Sequence, residues 1–199
     1  VFAPGVLCGL PISGASRSAV GGKSPITGGF GATEVGGNWG AQFKRAGYDA
    51  LVVKGAAATP VYLWIKDGEV EIRDASHLWG KTTKETEEMV REELGESRAE
   101  LTMIGPGGEN VVQYACVMNG LKDAAGRSGM GAVMGSKKLK AVAALGTQPL
   151  CSVDPDTISD LARRISAAVN DGELSSGMHQ YGTGRGVEGH SLIGNLPIS

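Results

Sequence analysis

The sequence predicts an α+β fold of mixed and antiparallel β-sheets with short helices, followed by the start of a helical domain. Three observations carry this. Short apolar runs alternate with glycine-rich turns up to Gly146, two strand-like runs flank an Asp-Gly turn at 67–68, and the apolar spacing becomes helical beyond residue 154.

Taken in order, residues 1–40 alternate glycine-rich turns with short apolar pieces, the pattern of short strands and tight loops. Residues 39–46 form a short helix closed by Gly47, and Ala50-Leu51-Val52-Val53-Lys54 reads as a buried strand. Val61-Tyr62-Leu63-Trp64-Ile65 and Glu69-Val70-Glu71-Ile72-Arg73 flank Lys66-Asp67-Gly68, which predicts a β-hairpin. Thr82 followed by Glu85 three residues later is a capping-box pattern for a helix ending at Gly95. Residues 101–104 and 111–117 read as strands around the turn Gly105-Pro106-Gly107-Gly108, and a glycine-rich segment over 120–135 leads to a strand at 141–145. Asp154-Pro155 reads as an N-cap and first-turn proline. Ile158, Leu161, Ala162, Ile165 and Val169 then sit at helical spacing until Gly172, and a further helix lies within 186–193. The expected organisation is a mixed-β domain over 1–149 and the start of a helical domain over 150–199. Val1-Phe2-Ala3 is neither an initiator methionine nor a signal sequence, and the chain stops soon after a helix, so it reads as a piece of a longer protein whose first domain lacks its beginning.

Composition narrows the function classes. There are 32 glycines in 199 residues, well above the usual share of about 7%. Only 8 prolines and no G-x-y period exclude a collagen-like rod. Hydrophobic content of 41%, charged content of 20% and a mean hydropathy of −0.05 describe a globular chain. With 19 basic and 21 acidic residues the net charge is −2, which gives no global attraction to nucleic acid or to an anionic membrane. No apolar run approaches the roughly 18 residues of a membrane helix. Cys8, Cys116 and Cys151 are far apart, without a C-x-x-C pair, so they build no zinc finger or cysteine-ligated cluster and fit a reducing, cytoplasmic compartment as bland, mostly buried thiols. His77, His179 and His190 lack metal-site spacing, and His77 before Leu78-Trp79 reads as a half-buried packing histidine. Glu85, Glu87, Glu88, Glu92 and Glu93 read as the solvated face of a helix.

Glycine marks where backbone must approach something closely or take φ > 0. Gly21-Gly22-Lys23-Ser24 resembles the end of a P-loop, but the pattern needs glycine where Arg17 stands, and Pro25 opposes the run into a helix. Gly129-Met130-Gly131-Ala132-Val133-Met134-Gly135 is near the dinucleotide fingerprint, yet no strand directly precedes it and no βαβ alternation surrounds it. Arg17 and Arg127 each sit inside a glycine-rich loop, where a guanidinium is suited to a forked grip on phosphate or a planar heterocycle; the alternative is a pair of surface loop arginines. An internal echo joins the segments around 36–55 and 126–146. Each runs glycine-rich loop, short basic helix, apolar strand, glycine, as two related halves would, each offering a helix N-terminus to an anion. Chance similarity of two Gly–Lys stretches is the other reading.

An extended set of motifs resembles the amino-terminal cofactor-binding domain of the aldehyde ferredoxin oxidoreductase family, the tungsten or molybdenum bis-pterin enzymes. It includes Lys23-Ser24-Pro25-Ile26-Thr27-Gly28, Gly36-Gly37-Asn38-Trp39-Gly40, Phe43-Lys44-Arg45-Ala46-Gly47-Tyr48-Asp49, Asp74-Ala75-Ser76-His77-Leu78-Trp79-Gly80 and Ile104-Gly105-Pro106-Gly107-Gly108-Glu109-Asn110. The most distinctive block is Ala124-Ala125-Gly126-Arg127-Ser128-Gly129-Met130-Gly131, continuing to Lys137.

The resemblance implies a base of two β-sheets, related by a pseudo-twofold, on which two pterins sit and hold the metal through their dithiolenes. It places Arg17 between pterin and an iron–sulfur cluster. It assigns Glu34, Gly36 and Gly37, and Asp123, Ala124, Ala125, Gly126 and Arg127, to two loops touching the pterins and their phosphates. The backbone carbonyls of Glu34 and Ala124 would bind a Mg ion bridging the phosphates. A 4Fe-4S cluster, with ligands outside this stretch, would pass electrons to ferredoxin or another iron–sulfur carrier after oxidation of a small aldehyde-type substrate. The chain would act as a homodimer or a subunit of a larger complex, and alone it would be inactive. A non-catalytic phosphate- or nucleotide-binding module using the same loops is the alternative. Two positions depart from the family: asparagine is common where Glu34 stands, and arginine where Asp123 stands, an acid that would repel phosphate.

Overall fold

The structure, a computed structural model, describes residues 1–171 and 176–196. It divides into two compact units, one of Val1–Leu10 and Gly14–Cys151, the other of Pro11–Ser13 with the described part of Ser152–Ser199.

The first unit contains two sheets of unequal size. Strands β1 (Phe2–Pro4), β2 (Ser18–Lys23) and β3 (Phe30–Val35) form an antiparallel three-stranded sheet in that order, and helix α1 (Trp39–Arg45) follows. The larger sheet uses β4 (Val61–Lys66), β5 (Glu69–Asp74), β6 (Glu100–Met103), β7 (Val117–Asn119), β8 (Asp123–Ala125) and β9 (Leu139–Leu145), in the order β5-β4-β9-β6-β7-β8. Only β4 and β9 run parallel. Helices α2 (Thr83–Leu94), α3 (Pro106–Glu109) and α4 (Met130–Ser136) connect them. This is the mixed-sheet, short-helix class expected.

The best-formed local elements follow from short-range chemistry. Asp67 (φ 46°) and Gly68 (φ 93°) both adopt the left-handed conformation that a two-residue I′ turn requires, so β4 and β5 pair from Lys66↔Glu69 onward. The Asp67 carboxylate also accepts hydrogen bonds from the N–H and hydroxyl of Thr147, at 2.7 and 2.9 Å, fixing the chain after β9 to this turn. At the start of α2, Thr82 Oγ1 accepts from Glu85 N–H (3.3 Å) while Glu85 Oε2 accepts from Thr82 N–H (2.8 Å). Gly95, at φ 65°, closes the helix.

All seven residues of β9 are buried. A bulge between Val61 and Tyr62 shifts its register against β4, so that Leu139, Val142 and Ala144 join one core cluster with Trp39, Phe43 and Ile65. Ala141, Ala143 and Leu145 join the other, with Tyr62, Leu78, Val90 and Leu101. Trp39 stacks on Phe43 at 4.9 Å and donates its indole N–H to the Val142 carbonyl at 2.9 Å, which seats α1 on β9.

Four expectations need correction. Residues 50–54 are not a strand: Leu51 makes a single bridge to Phe2, and Val52 is 58% exposed. Their apolar side chains at 51 and 53 pack against the first core cluster without extending a sheet. Of residues 111–117 only Val117 is in a strand, because Val111 takes φ 58° and turns the backbone so that the Ala115 carbonyl accepts from Gly131 N–H at 2.9 Å. Residues 105–108 do not simply turn, since Gly105 caps α3 with Pro106 in its first turn. The internal echo is not met at its second half: α4 covers Met130–Ser136 without a basic residue and the lysines at 137–138 follow it, while α1 ends on Lys44 and Arg45 but leads into no strand.

In the second unit, α5 (Pro155–Asn170), α6 (Ser176–Tyr181) and α7 (Val187–Leu192) follow in order. Asp154 caps α5 by accepting from Thr157 N–H at 2.9 Å. Ile158, Ala162, Ile165 and Val169 form a half-buried stripe, while Leu161 is exposed and no α5 residue is fully buried. Gly172, the expected helix stop, lies outside the described residues. Among the described residues no helix is long and apolar enough to cross a membrane. Cys8 is buried and Cys116 half-buried, but Cys151 is exposed, against the expectation for it.

Candidate functional site

The three-stranded sheet turns one face inward and leaves the other open. Phe2, Val20 and Val35 point into the core, and Phe30, Ala32 and Glu34 alternate outward along β3. Cross-strand register aligns Ala3 with Ala19, Ala19 with Glu34, Gly21 with Ala32 and Lys23 with Phe30. The outward face is therefore a floor of small residues, Ala3, Ala19, Gly21 and Ala32, bordered by Lys23, Phe30 and Glu34. The Phe30 ring is 83% exposed and lies 3.3 Å from where a Cβ on Gly21 would stand.

Two loops singled out in the sequence meet beside this floor. Asn119 donates its Nδ2 to the Gly36 carbonyl at 2.8 Å, Arg127 N–H reaches Thr33 Oγ1 at 3.4 Å, and Ser128 Oγ donates to the Ala32 carbonyl at 3.2 Å. These bonds bring β3 and Gly36-Gly37 against β8 and the 126–128 turn, although 83 to 96 residues separate the partners in sequence. The Arg17 loop adjoins the same place: Ser16 Oγ lies 3.9 Å from the Cβ position of Gly36. The Arg17 carbonyl is held by Gly5 N–H at 2.8 Å, and its side chain is exposed. Glu34, Ala124, Gly126 and Arg127 are exposed as well, Asp123 is half-buried, and Ala125 is buried in the core.

Asp123 is not turned away from the loops. Its carboxylate oxygens lie 3.2 Å from the Cβ position of Gly36 and 3.1 Å from that of Gly37, so the two glycines make room for it. Asn119, 4% exposed, backs Gly37, and its Oδ1 is a buried acceptor with no donor. Sequence reasoning missed Asn119; a polar residue ending a short strand carried no signal until the two loops were joined in space.

Behind the loops lies a polar cleft of about 340 Å³, walled by Gly37, Asn38, Arg91, Glu100, Asn119 and Asp123. Glu87 and Glu100 approach Arg91 at 2.7 and 3.9 Å. Burial pushes the Glu100 carboxyl above its ordinary pKa, opposed by the Arg91 charge and a hydrogen bond with Asn38.

The glycines divide into two kinds. A side chain on Gly129 would strike the Gln113 carbonyl, one on Gly131 the Cys116 carbonyl, and one on Gly135 the Gly108 carbonyl. These three serve close packing of α4 against backbone, and Pro25 and Gln113 stand against Gly129 at its start. Gly126 has nothing within 4 Å, and its glycine character is unexplained by packing. His77 is also not a packing residue. It is 44% exposed, with Nε2 3.2 Å from Glu93 Oε2 and Nδ1 3.9 Å from Asp74 Oδ2.

Comparison with known proteins adds a family. Residues 1–146 match the sequence model described as "Aldehyde ferredoxin oxidoreductase, N-terminal domain". The chain is 45% identical over 184 residues to the tungsten-containing aldehyde ferredoxin oxidoreductases of Pyrococcus furiosus and Thermococcus kodakarensis, covering 92% of this chain and 30% of each relative. It is 42% identical over 162 residues to the WOR-like subunit of an aliphatic sulfonate oxidoreductase of Pyrococcus furiosus, covering 75% of this chain and 26% of that subunit. Among solved structures, the active site complex BamBC of benzoyl coenzyme A reductase, in complex with 1,5 dienoyl-CoA, is similar with a TM-score of 0.83 and 42% identity, over 87% of this chain and 26% of that one. The chain thus spans about a third or less of the length of these relatives.

Proposed function

The chain belongs to the aldehyde ferredoxin oxidoreductase family, and on that premise we propose that its first unit is the floor on which a tungsten-bis-pterin cofactor is bound. The observation that carries this is the joining of two distant glycine-rich loops, at 34–37 and 123–127, beside an open sheet face of small residues. Such a face leaves room for a broad planar heterocycle, with exposed Arg127 in one loop and exposed Arg17 in the segment adjoining them.

Three features of the chain fit that group: the floor of Ala3, Ala19, Gly21 and Ala32, the open space over Gly126, and the orphaned Asn119 Oδ1 beside the Gly36 carbonyl. When bound, the metal held by pterin dithiolenes supplies the redox centre for an oxo substrate. This chain's residues bind and orient. Arg17 and Arg127 would give guanidinium donors to pterin or phosphate, Gly36, Gly37, Ala125 and Gly126 would let backbone come close, and the backbone carbonyls of Glu34 and Ala124 would hold a Mg ion. Asp123 is the exception in charge.

In this reading residues 1–149 form the cofactor domain and 150–199 begin a helical domain of a longer cytoplasmic enzyme. The rest of that enzyme supplies the 4Fe-4S cluster, the pocket for a small aldehyde and the docking face for ferredoxin. The test is metal and pterin analysis of the full-length protein made in an anaerobic, pterin-competent host. Tungsten with pterin is the expected result. Bound phosphate or nucleotide without pterin overturns the reading in favour of a simple anion-binding module.

A further inference from the structure

Strand β5 ends the six-stranded sheet, and among the described residues β4 is its single strand partner. The two-residue turn at Asp67-Gly68 sets the hydrogen-bond phase of this hairpin. Lys66 and Glu69 close it as a hydrogen-bonded pair, so Glu71 and Arg73 bond inward as well, to Trp64 and Tyr62. Val70 and Ile72 therefore turn their N–H and C=O groups away from β4, and no other backbone bond among the described residues takes them up. Their side chains stand in water too, that of Ile72 with 72% exposure. A six-residue strand with an open edge and exposed β-branched side chains is a template for another strand.

Charge decides which strand fits. Glu71 and Arg73 lie on one face of β5, where Arg73 Nε donates to Glu71 Oε2 at 2.8 Å. Two copies of β5 laid antiparallel about a twofold axis pair outward-bonding residues with one another. Centred on Ile72, that pairing sets Ile72 against Ile72. It also sets each Glu71 against the second copy's Arg73, at the closer, non-hydrogen-bonded positions. The next register to one side opposes Glu71 to Glu71, and to the other side Arg73 to Arg73, and like charges directly opposite are unfavourable. Among these neighbouring registers only the one centred on Ile72 is self-complementary.

We propose that β5 is a self-association edge, through which two copies of this chain join their six-stranded sheets into one continuous sheet. The proposal is independent of the cofactor reading, since β5 carries none of the residues assigned to pterin or phosphate.

The test uses the full-length protein. Hydrogen exchange of the segment 69–74 is followed through a dilution series while sedimentation reports the mass in solution. The Val70 and Ile72 amides are expected to be protected in the associated species and to lose protection as dilution releases single chains. Glu71→Arg, which sets like charges opposite, should weaken association about 10-fold or more, and adding Arg73→Glu should restore it. Ile72→Lys, at a side chain already in water, should abolish association, and circular dichroism verifies the fold of each variant. A single-chain mass at every dilution overturns the proposal. So does protection that persists in single chains, which shows that another segment of the same chain covers β5. Association left unchanged by Glu71→Arg and Ile72→Lys places the interface on another face and equally overturns it.

Discussion

The Lys140 ammonium donates to the Glu109 carboxylate within the first unit, with the lysine side chain fully buried and the glutamate 3% exposed. The pair is completed by backbone: Lys140 Nζ also donates to the Lys81 carbonyl at 2.8 Å, and Glu109 Oε2 accepts from Gly80 N–H at 2.7 Å. The bulge opposite Val61 and Tyr62 takes Lys140 out of the regular pairing with β4, and the ion pair holds it there, tying β9 to α3 and to the loop before α2.

Breaking this pair from one side leaves an uncompensated buried charge. Glu109→Gln or Lys140→Met is expected to cost about 3–5 kcal/mol, whereas the double replacement by Lys140→Met and Glu109→Leu recovers most of it. Denaturant unfolding of the full-length protein checks the pattern. Equal losses in single and double variants would show that charge isolation is not the cause.

A second prediction concerns alkaline pH. Burial, reinforced by a 2.8 Å hydrogen bond from Tyr62 to Glu93 and by the Glu93 charge, has the Tyr62 phenol pushed up to about 12. A raised folded-state value stabilises the fold fully below the ordinary tyrosine range near 10 and loses that contribution as pH rises from there toward 12. Tyrosinate absorbance is expected to rise late for one residue of the native protein, and Tyr62→Phe should remove that phase. Retention of the late phase in the variant refutes the assignment.

The two kinds of glycine give opposite outcomes. Gly135→Ala drives a methyl group into the Gly108 carbonyl and should destabilise by about 1–3 kcal/mol or more through overpacking. Gly126→Ala meets nothing within 4 Å and should leave thermal stability unchanged while reducing the pterin retained by the full-length protein. Comparing melting temperature with pterin content for both variants separates packing from binding.

Replacement of Arg17 follows the same logic. Its side chain is exposed and its carbonyl is held by Gly5, so Arg17→Leu should leave the fold intact and lower pterin content. Arg17→Lys should recover only part, because an ammonium lacks the planar fork of a guanidinium. Unchanged pterin in Arg17→Leu excludes the residue from cofactor binding.

Legibility in the sequence followed the range of the interactions. The Asp67-Gly68 turn, the Thr82–Glu85 capping box and the Asp154 cap are satisfied within a few residues, and all three read correctly. The apolar runs at 50–54 and 111–117 looked like strands because periodicity records burial, not pairing. Their partners are distant: Phe2 for Leu51, and Gly131 for the Ala115 carbonyl. At the candidate site Arg17, Arg127 and the glycines at 36–37 and 126 stood out by residue type, whereas Glu34, Asp123, Ala124 and Ala125 entered only through the family resemblance. Asn119 and the posture of Asp123 were not legible, because both depend on Gly36-Gly37 arriving from across the chain.

The place of β9 has a consequence for how this polypeptide is made. The strand that walls both hydrophobic clusters and sits at the middle of the six-stranded sheet is the last strand of that sheet in chain order among the described residues. As synthesis proceeds from the amino terminus, Trp39, Phe43, Tyr62, Leu78 and Leu101 leave the ribosome before the wall that covers them. The nascent domain therefore carries two open apolar surfaces until Leu145 emerges, and holdase chaperones have that interval in which to engage it.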